Sequence, residues 1–139
     1  MIKPPSDHST RLIERFYADI WNRADEKTAR EILSPDLEFR GSIGDALRGL
    51  DSFLPYVGKI RGAFAEYHCR IDDLIAAGGR VAARMTFAGI HRGSLFGEAP
   101  TLKPVSWAGA AFFTIEGNRI TRVWVLGDTE SLKRQLGLI

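Results

Sequence analysis

The residues that could do chemistry in this chain are few and lie far apart in sequence. Asp128 follows the apolar run VWVLG and precedes a short helix-like segment. A carboxylate there can act as general acid and base. The same residue, three positions before Ser131, can also cap the helix by accepting a backbone N–H. The two roles are compatible, with cap donors and helix dipole lowering its pKa and apolar surroundings raising it. His91 stands where an alternating strand meets a glycine-containing loop. As neutral imidazole it could polarise a carbonyl or pass a proton to Asp128, or it could simply end the strand. Arg40, in the stretch FRGSIG, could hold a carbonyl or carboxylate at a pocket mouth or be merely solvated. Tyr56, Phe87, Trp107 and Trp124 could line a cavity for a flat ring system, and the same spacings also suit plain core packing. His68 and Glu98 receive no role.

Several kinds of chemistry lack their motifs. The chain has no GxGxxG, P-loop, HExxH or GxSxG pattern and no pair of cysteines at metal-ligand spacing. His8, His68 and His91 bring no carboxylate at i+3 or i+4 on a shared helix, so we expect neither a metal site nor a cofactor. The net charge is +2 and the arginines are scattered, which leaves no footprint for nucleic acid. Cys69 is the only cysteine, which excludes an intramolecular disulfide and suits a reducing compartment. The N-terminal stretch MIKPPSDHS has no signal-like apolar run, and nowhere are eighteen apolar residues successive. A cytoplasmic protein with no membrane segment is the expectation.

The elements that must position these residues can be read from the apolar period. The 139 residues, 45% of them apolar and 26% charged, suit one globular domain spanning residues 1–139. Leu12, Ile13, Phe16, Ile20 and Trp21 recur at helical spacing behind Ser9, which predicts a helix over 10–22. Asp25 looks like the cap of a second helix, stopped by Ser34 and Pro35. A short strand over 37–40 and a glycine-marked loop precede a third helix, with Asp51 as cap and Pro55 in its first turn. The period then changes to two, predicting strands over 68–76, 80–91, 104–114 and 119–126 joined by Gly78-Gly79 and Glu116-Gly117-Asn118 turns. A short helix begins near Asp128. Helices followed by hairpin-linked strands is the α+β order.

The strand faces carry a further expectation. Over 104–114, Trp107, Gly109, Ala111 and Phe113 share one face and Ala108, Ala110 and Phe112 the other, so both faces are apolar. The 119–126 strand repeats this, with Ile120, Trp124 and Leu126 opposite Val123 and Val125. Helices can cover only one face, and a second subunit is the simplest cover for the other. On the 80–91 strand, Ala83, Met85, Phe87 and His91 share a face that we assign to the pocket.

The segment GIHRGSLFGEAPTLK, from Gly89 to Lys103, closely resembles the GxHxGxFxGxxPTGK stretch of SnoaL-like polyketide cyclases of the nuclear-transport-factor-two-like superfamily. His91, Gly93, Gly97, Pro100, Thr101 and Lys103 match, while Leu95 replaces a phenylalanine and Leu102 a glycine. A glycine there could serve a positive φ that leucine tolerates poorly. RITRVWVLGDTESLKRQLG resembles the family's closing strand and helix, with Asp128 in the place of its aspartate; FYADIWNRAD and LEFRGSIG also have counterparts. The resemblance implies a cone-shaped α+β barrel of three helices on a curved antiparallel sheet enclosing a pocket. It further implies cofactor-independent acid/base chemistry, of intramolecular aldol type, on a carbonyl-rich and aromatic small molecule. Asp128 would be acid and base and His91 its assistant. The alternatives are a non-catalytic small-molecule-binding or interaction domain, and an isomerase, dehydratase or epoxide hydrolase of the superfamily.

Overall fold

The computed structural model describes residues 5–44 and 46–139. Residues 1–4, part of the stretch read above as lacking an export signal, lie outside the described residues. The first helix, α1, runs Pro5–Arg15 and passes into a π-helical segment, Phe16–Trp21. It begins earlier than the apolar spacing predicts, so Ser9 lies inside it and its hydroxyl donates to the Gly78 carbonyl (3.4 Å) instead of capping. In the π-helical segment the Asn22 N–H reaches back five residues to the Tyr17 carbonyl (2.9 Å), and Phe16, Tyr17, Ile20 and Trp21 are all buried. Helix α2, Glu26–Ile32, is capped by Asp25, whose carboxylate accepts from the Thr28 N–H at 3.2 Å.

Strand β1, Leu33–Arg40, follows α2 directly. Pro35, which has no N–H for a ladder, falls where the register to the neighbouring strand shifts between Leu33 and Glu38. A three-residue strand, β2 (Ala46–Arg48), and then α3 (Leu50–Ala63) come next. Gly49 at φ +86° precedes α3, so the cap is Gly49 and not Asp51, and Pro55 lies beyond the first turn. The four long strands are β3 (Phe64–Ala77), β4 (Arg80–His91), β5 (Pro104–Glu116) and β6 (Arg119–Gly127), and helix α4 (Thr129–Gln135) closes the chain.

The strands form one curved sheet in the order β2-β1-β6-β5-β4-β3. It is open, with β2 and β3 at its edges, and it is mixed, because β1 runs parallel to β6. The expected all-antiparallel sheet is corrected in this respect. A parallel pair needs a long connection, and here everything from β2 to β5 lies between the two strands. Helices α1, α2 and α3 pack against one face. That face supplies the core: Val81, Ala83, Met85 and Phe87 of β4, Trp107, Ala111 and Phe113 of β5, and Val123 and Val125 of β6 are all buried. Ile120 joins them, against expectation. A register shift opposite Thr114/Ile115 inserts Thr121 as an extra residue and moves Ile120 to the inner face.

Candidate functional site

Between the helices and the inner sheet face lies a cavity of about 30 Å³, lined by Tyr17 and Trp21 of the π-helical segment, Phe39 of β1, Tyr56 and Ile60 of α3 and further residues of the sheet. Such a volume holds about two water molecules. Aromatic rings make most of its wall. Trp21 stands edge-on to Tyr56 and to Tyr67, each at 6.0 Å between centroids, and Phe87 lies 5.7 Å from Trp107. Close approach makes the arrangement possible: a Cβ on Gly109 would come within 2.5 Å of the Phe87 ring. Gly41, Ser42 and Ile43 line the cavity where β1 ends, and Tyr56 donates a hydrogen bond to the Ile43 carbonyl, tying α3 to that segment. Ser42, Ile43 and Tyr56 are partly exposed, which marks the side where the cavity nears solvent.

The ionisable groups on this wall are kept neutral. Burial pushes the Tyr17 and Tyr67 phenols well above their ordinary values, with the neighbouring Cys69 adding to both. Burial likewise pushes Tyr56 up to about 12 and the Cys69 thiol up to about 12. Among the described residues, no Asp, Glu, Lys, Arg or His lines the cavity. Among the described residues, three buried side-chain polar atoms have no hydrogen-bond partner: Tyr17 Oη, Trp107 Nε1 and His91 Nε2.

Asp128 lies just outside the wall. Gly127 ends β6, and a Cβ there would sit 2.6 Å from Ser42 Oγ and 3.4 Å from Trp107 Nε1, both on cavity-lining residues. The next residue in the chain is Asp128, which is not among the residues lining the cavity. Its N–H donates to the Ala108 carbonyl (2.8 Å), and its exposed side chain accepts from the Ser131 N–H (3.0 Å) as the N-cap of α4.

His91 is fully buried on the inner face but does not line the cavity. It stands four residues beyond Phe87 on β4, a separation of roughly 13 Å along a strand. The Thr101 N–H donates to its Nδ1 (3.1 Å), with Thr101 Oγ1 also 3.0 Å away, so the neutral ring carries its proton on Nε2. The backbone completes the clasp, because the His91 N–H donates to the Lys103 carbonyl and the Leu102 N–H to the His91 carbonyl. Between these residues Leu102 adopts φ +59°, the conformation that a glycine would take more easily.

Of the residues singled out from sequence, Tyr56, Phe87 and Trp107 come together in the cavity, whereas Asp128 and His91 do not line it. Arg40 and Trp124 lie elsewhere. Trp124 is 44% exposed on the outer sheet face, because β6 alternates and its neighbours Val123 and Val125 point inward. Arg40 donates to the Val125 carbonyl (2.7 Å) and holds its guanidinium 5.0 Å above the Trp124 ring. Together with Phe112 they line a separate groove of about 510 Å³, not the aromatic cavity. Tyr17, Trp21, Tyr67 and Cys69 were not singled out. Tyr17 neighbours the apolar stripe of the first helix, and Cys69 alternates with Tyr67 on β3; both signals also suit ordinary core.

The match to known proteins agrees with this architecture. A model of the SnoaL-like polyketide cyclase family matches residues 11–136. No curated protein matches the chain. Among solved structures, a protein from Jannaschia sp. CCS1, proposed as a SnoaL-like polyketide cyclase, superposes with a TM-score of 0.89 at 13% identity over 100% of this chain and 98% of its own. TsrD from Streptomyces laurentii gives 0.85 at 24% identity over 100% of both chains. IdmH from Streptomyces antibioticus, proposed to be a polyketide cyclase, gives 0.80 at 24% identity over 97% of this chain and 99% of its own. At such identities these likenesses carry the fold alone, whereas the family model spans nearly the whole sequence. The chain belongs to the SnoaL-like polyketide cyclase family.

Proposed function

We propose that the protein binds a flat, carbonyl-bearing small molecule in the aromatic cavity and catalyses cofactor-independent acid/base chemistry on it, of the intramolecular aldol type. The observation that carries this reading is Gly127. A Cβ there would meet Ser42 and Trp107 of the wall, so the residue immediately before Asp128 borders the cavity, which supports Asp128 as the proton carrier. A carbon flanked by carbonyls gives a stabilised carbanion, so the protein has mainly to hold the reacting carbons close and move one proton. Asp128 takes that proton from carbon and returns it to the new alkoxide. Arg40 and Trp124, on the outer face, have no part in this scheme. His91 keeps a supporting role, holding the 91–103 loop through Thr101. A space of about 30 Å³ is too small for a fused ring, so entry requires the partly exposed Ser42 and Ile43 to move outward.

A second reading, binding without catalysis, is favoured by one specific observation: Asp128 is exposed and already satisfied as a helix cap. Incubation with aromatic β-keto esters in deuterated water separates the two. The acid/base reading expects protein-dependent exchange of the acidic C–H, with ring closure where the chain geometry allows it. Saturable binding with no exchange above the protein-free rate would establish the second reading instead.

A further inference from the structure

Two of the three unpartnered buried donors among the described residues share one cavity wall. Tyr17 Oη and Trp107 Nε1 each carry a hydrogen, are closed off from solvent and meet no acceptor in the protein, and both side chains line the same cavity. A buried donor without an acceptor costs stability, and two on one cavity wall point to an acceptor that comes from outside the chain. The local backbone points the same way. Tyr17 belongs to the π-helical segment, an irregularity that often marks functional sites, and that segment also contributes Trp21 to the wall. Trp107 Nε1 borders Gly127, where a side chain would begin only 3.4 Å from the indole nitrogen.

The charge on the wall selects the ligand. With no cationic or anionic side chain among the described residues lining the cavity, a phosphate or an ammonium group finds no counter-charge from them. Tyr17, Tyr56, Tyr67 and Cys69 stay protonated at neutral pH and present O–H and S–H groups. Uncharged donors around an aromatic space suit an oxygen of concentrated electron density on a flat ring.

We propose that Tyr17 and Trp107 form a donor pair for the carbonyl oxygen of an enolisable cyclic ketone, stabilising the charge that grows on it. This rests on the reading of the cavity as the ligand site. As Asp128 removes the proton, the C–H electron pair becomes the enolate C=C bond and the carbonyl π pair moves onto oxygen, where the two N–H and O–H donors meet it. Collapse of the enolate onto the electrophilic carbonyl returns that pair to C=O, and the new alkoxide recovers the proton from Asp128.

The test compares two single-ring probes, 4-nitrophenolate and uncharged nitrobenzene, titrated into the full-length protein at a pH where the phenol is ionised. In wild type the phenolate should bind more tightly than nitrobenzene. Tyr17→Phe should weaken phenolate binding about 10- to 100-fold, as loss of a hydrogen bond to a charged group does, and leave nitrobenzene nearly unchanged. Trp107→Phe should act in the same direction. Thermal melts supply the second readout: Tyr17→Phe should melt at or above wild type, because the hydroxyl it removes has no partner in the protein. Unchanged phenolate affinity in Tyr17→Phe, with nitrobenzene still bound, would overturn the donor pair and leave the ligand site standing. A lower melting temperature with loss of both probes would make the hydroxyl structural and overturn it too. If wild type binds neither probe, the ligand site fails and this inference fails with it.

Discussion

Burial holds Cys69, Tyr17, Tyr56 and Tyr67 neutral in the folded protein, and the unfolded chain releases them. The consequence for stability has a definite sign. A thiol ordinarily near 9.0 and phenols near 10.0 are protonated in both states below about pH 9, so their contribution is then complete. Above that the unfolded chain loses protons that the folded protein keeps until about 12 for Cys69 and Tyr56. Stability should therefore fall as the pH rises through this window, by up to about 1.4 kcal/mol per pH unit for each group that titrates. Melts recorded at intervals across it should show a decline that Tyr56→Phe makes shallower. A variant with the same slope as wild type would show that Tyr56 is not held neutral by the fold.

At the scale of elements, the strand and helix alternation was legible where one rule governed a whole segment. Strand β4 runs Arg80–His91, the span its alternation and flanking glycines predict, and both faces of β5 fall as their residue types require. Legibility failed where a local irregularity changed the count. The extra residue at Thr121 turned Ile120 inward, the bulge at Glu66 (φ +54°) let β3 start at Phe64, and the three residues of β2 are too few to show a period. The parallel β1–β6 pairing depends on a contact between distant segments, which no local pattern encodes. The candidate site divides in the same way. Tyr56, Phe87 and Trp107 reached the cavity because they sit on inward-facing positions, whereas Trp124 missed it by strand parity and His91 by distance along β4. Tyr17 was hidden among core-like neighbours, since only three-dimensional structure reveals that its hydroxyl has no partner. Leu102, where the family's glycine could serve a positive φ, itself adopts +59°.

For the whole molecule, the outer sheet face is the unfinished surface. Phe112 and Trp124 are each 44% exposed and Leu126 is 53% exposed, and the Phe112 and Trp124 rings lie 5.9 Å apart. Large apolar side chains exposed side by side on a sheet face are the pattern of an association surface. We propose that a second copy of the chain covers it and that the protein is a homodimer. Sedimentation at micromolar concentration should return twice the chain mass, and Leu126→Lys should shift it towards the monomer. A wild-type monomer across that range would contradict the proposal. No helix among the described residues is long and apolar enough to cross a membrane.

Asp128 joins the scales, because one side chain caps α4 and, in the proposed reading, carries the proton. Asparagine caps almost as well as aspartate, while alanine removes the acceptor and typically costs about 0.5–2 kcal/mol. An amide cannot serve as the base. The most direct measurement is therefore turnover and melting temperature on the same preparations of wild type, Asp128→Asn and Asp128→Ala, with an aromatic β-keto ester as substrate. The account predicts that Asp128→Asn melts close to wild type and loses roughly two to four orders of magnitude in rate, the contribution of general acid/base catalysis. It predicts that Asp128→Ala loses both. An Asp128→Asn protein that turns over at the wild-type rate would reduce Asp128 to a helix cap and contradict the acid/base account.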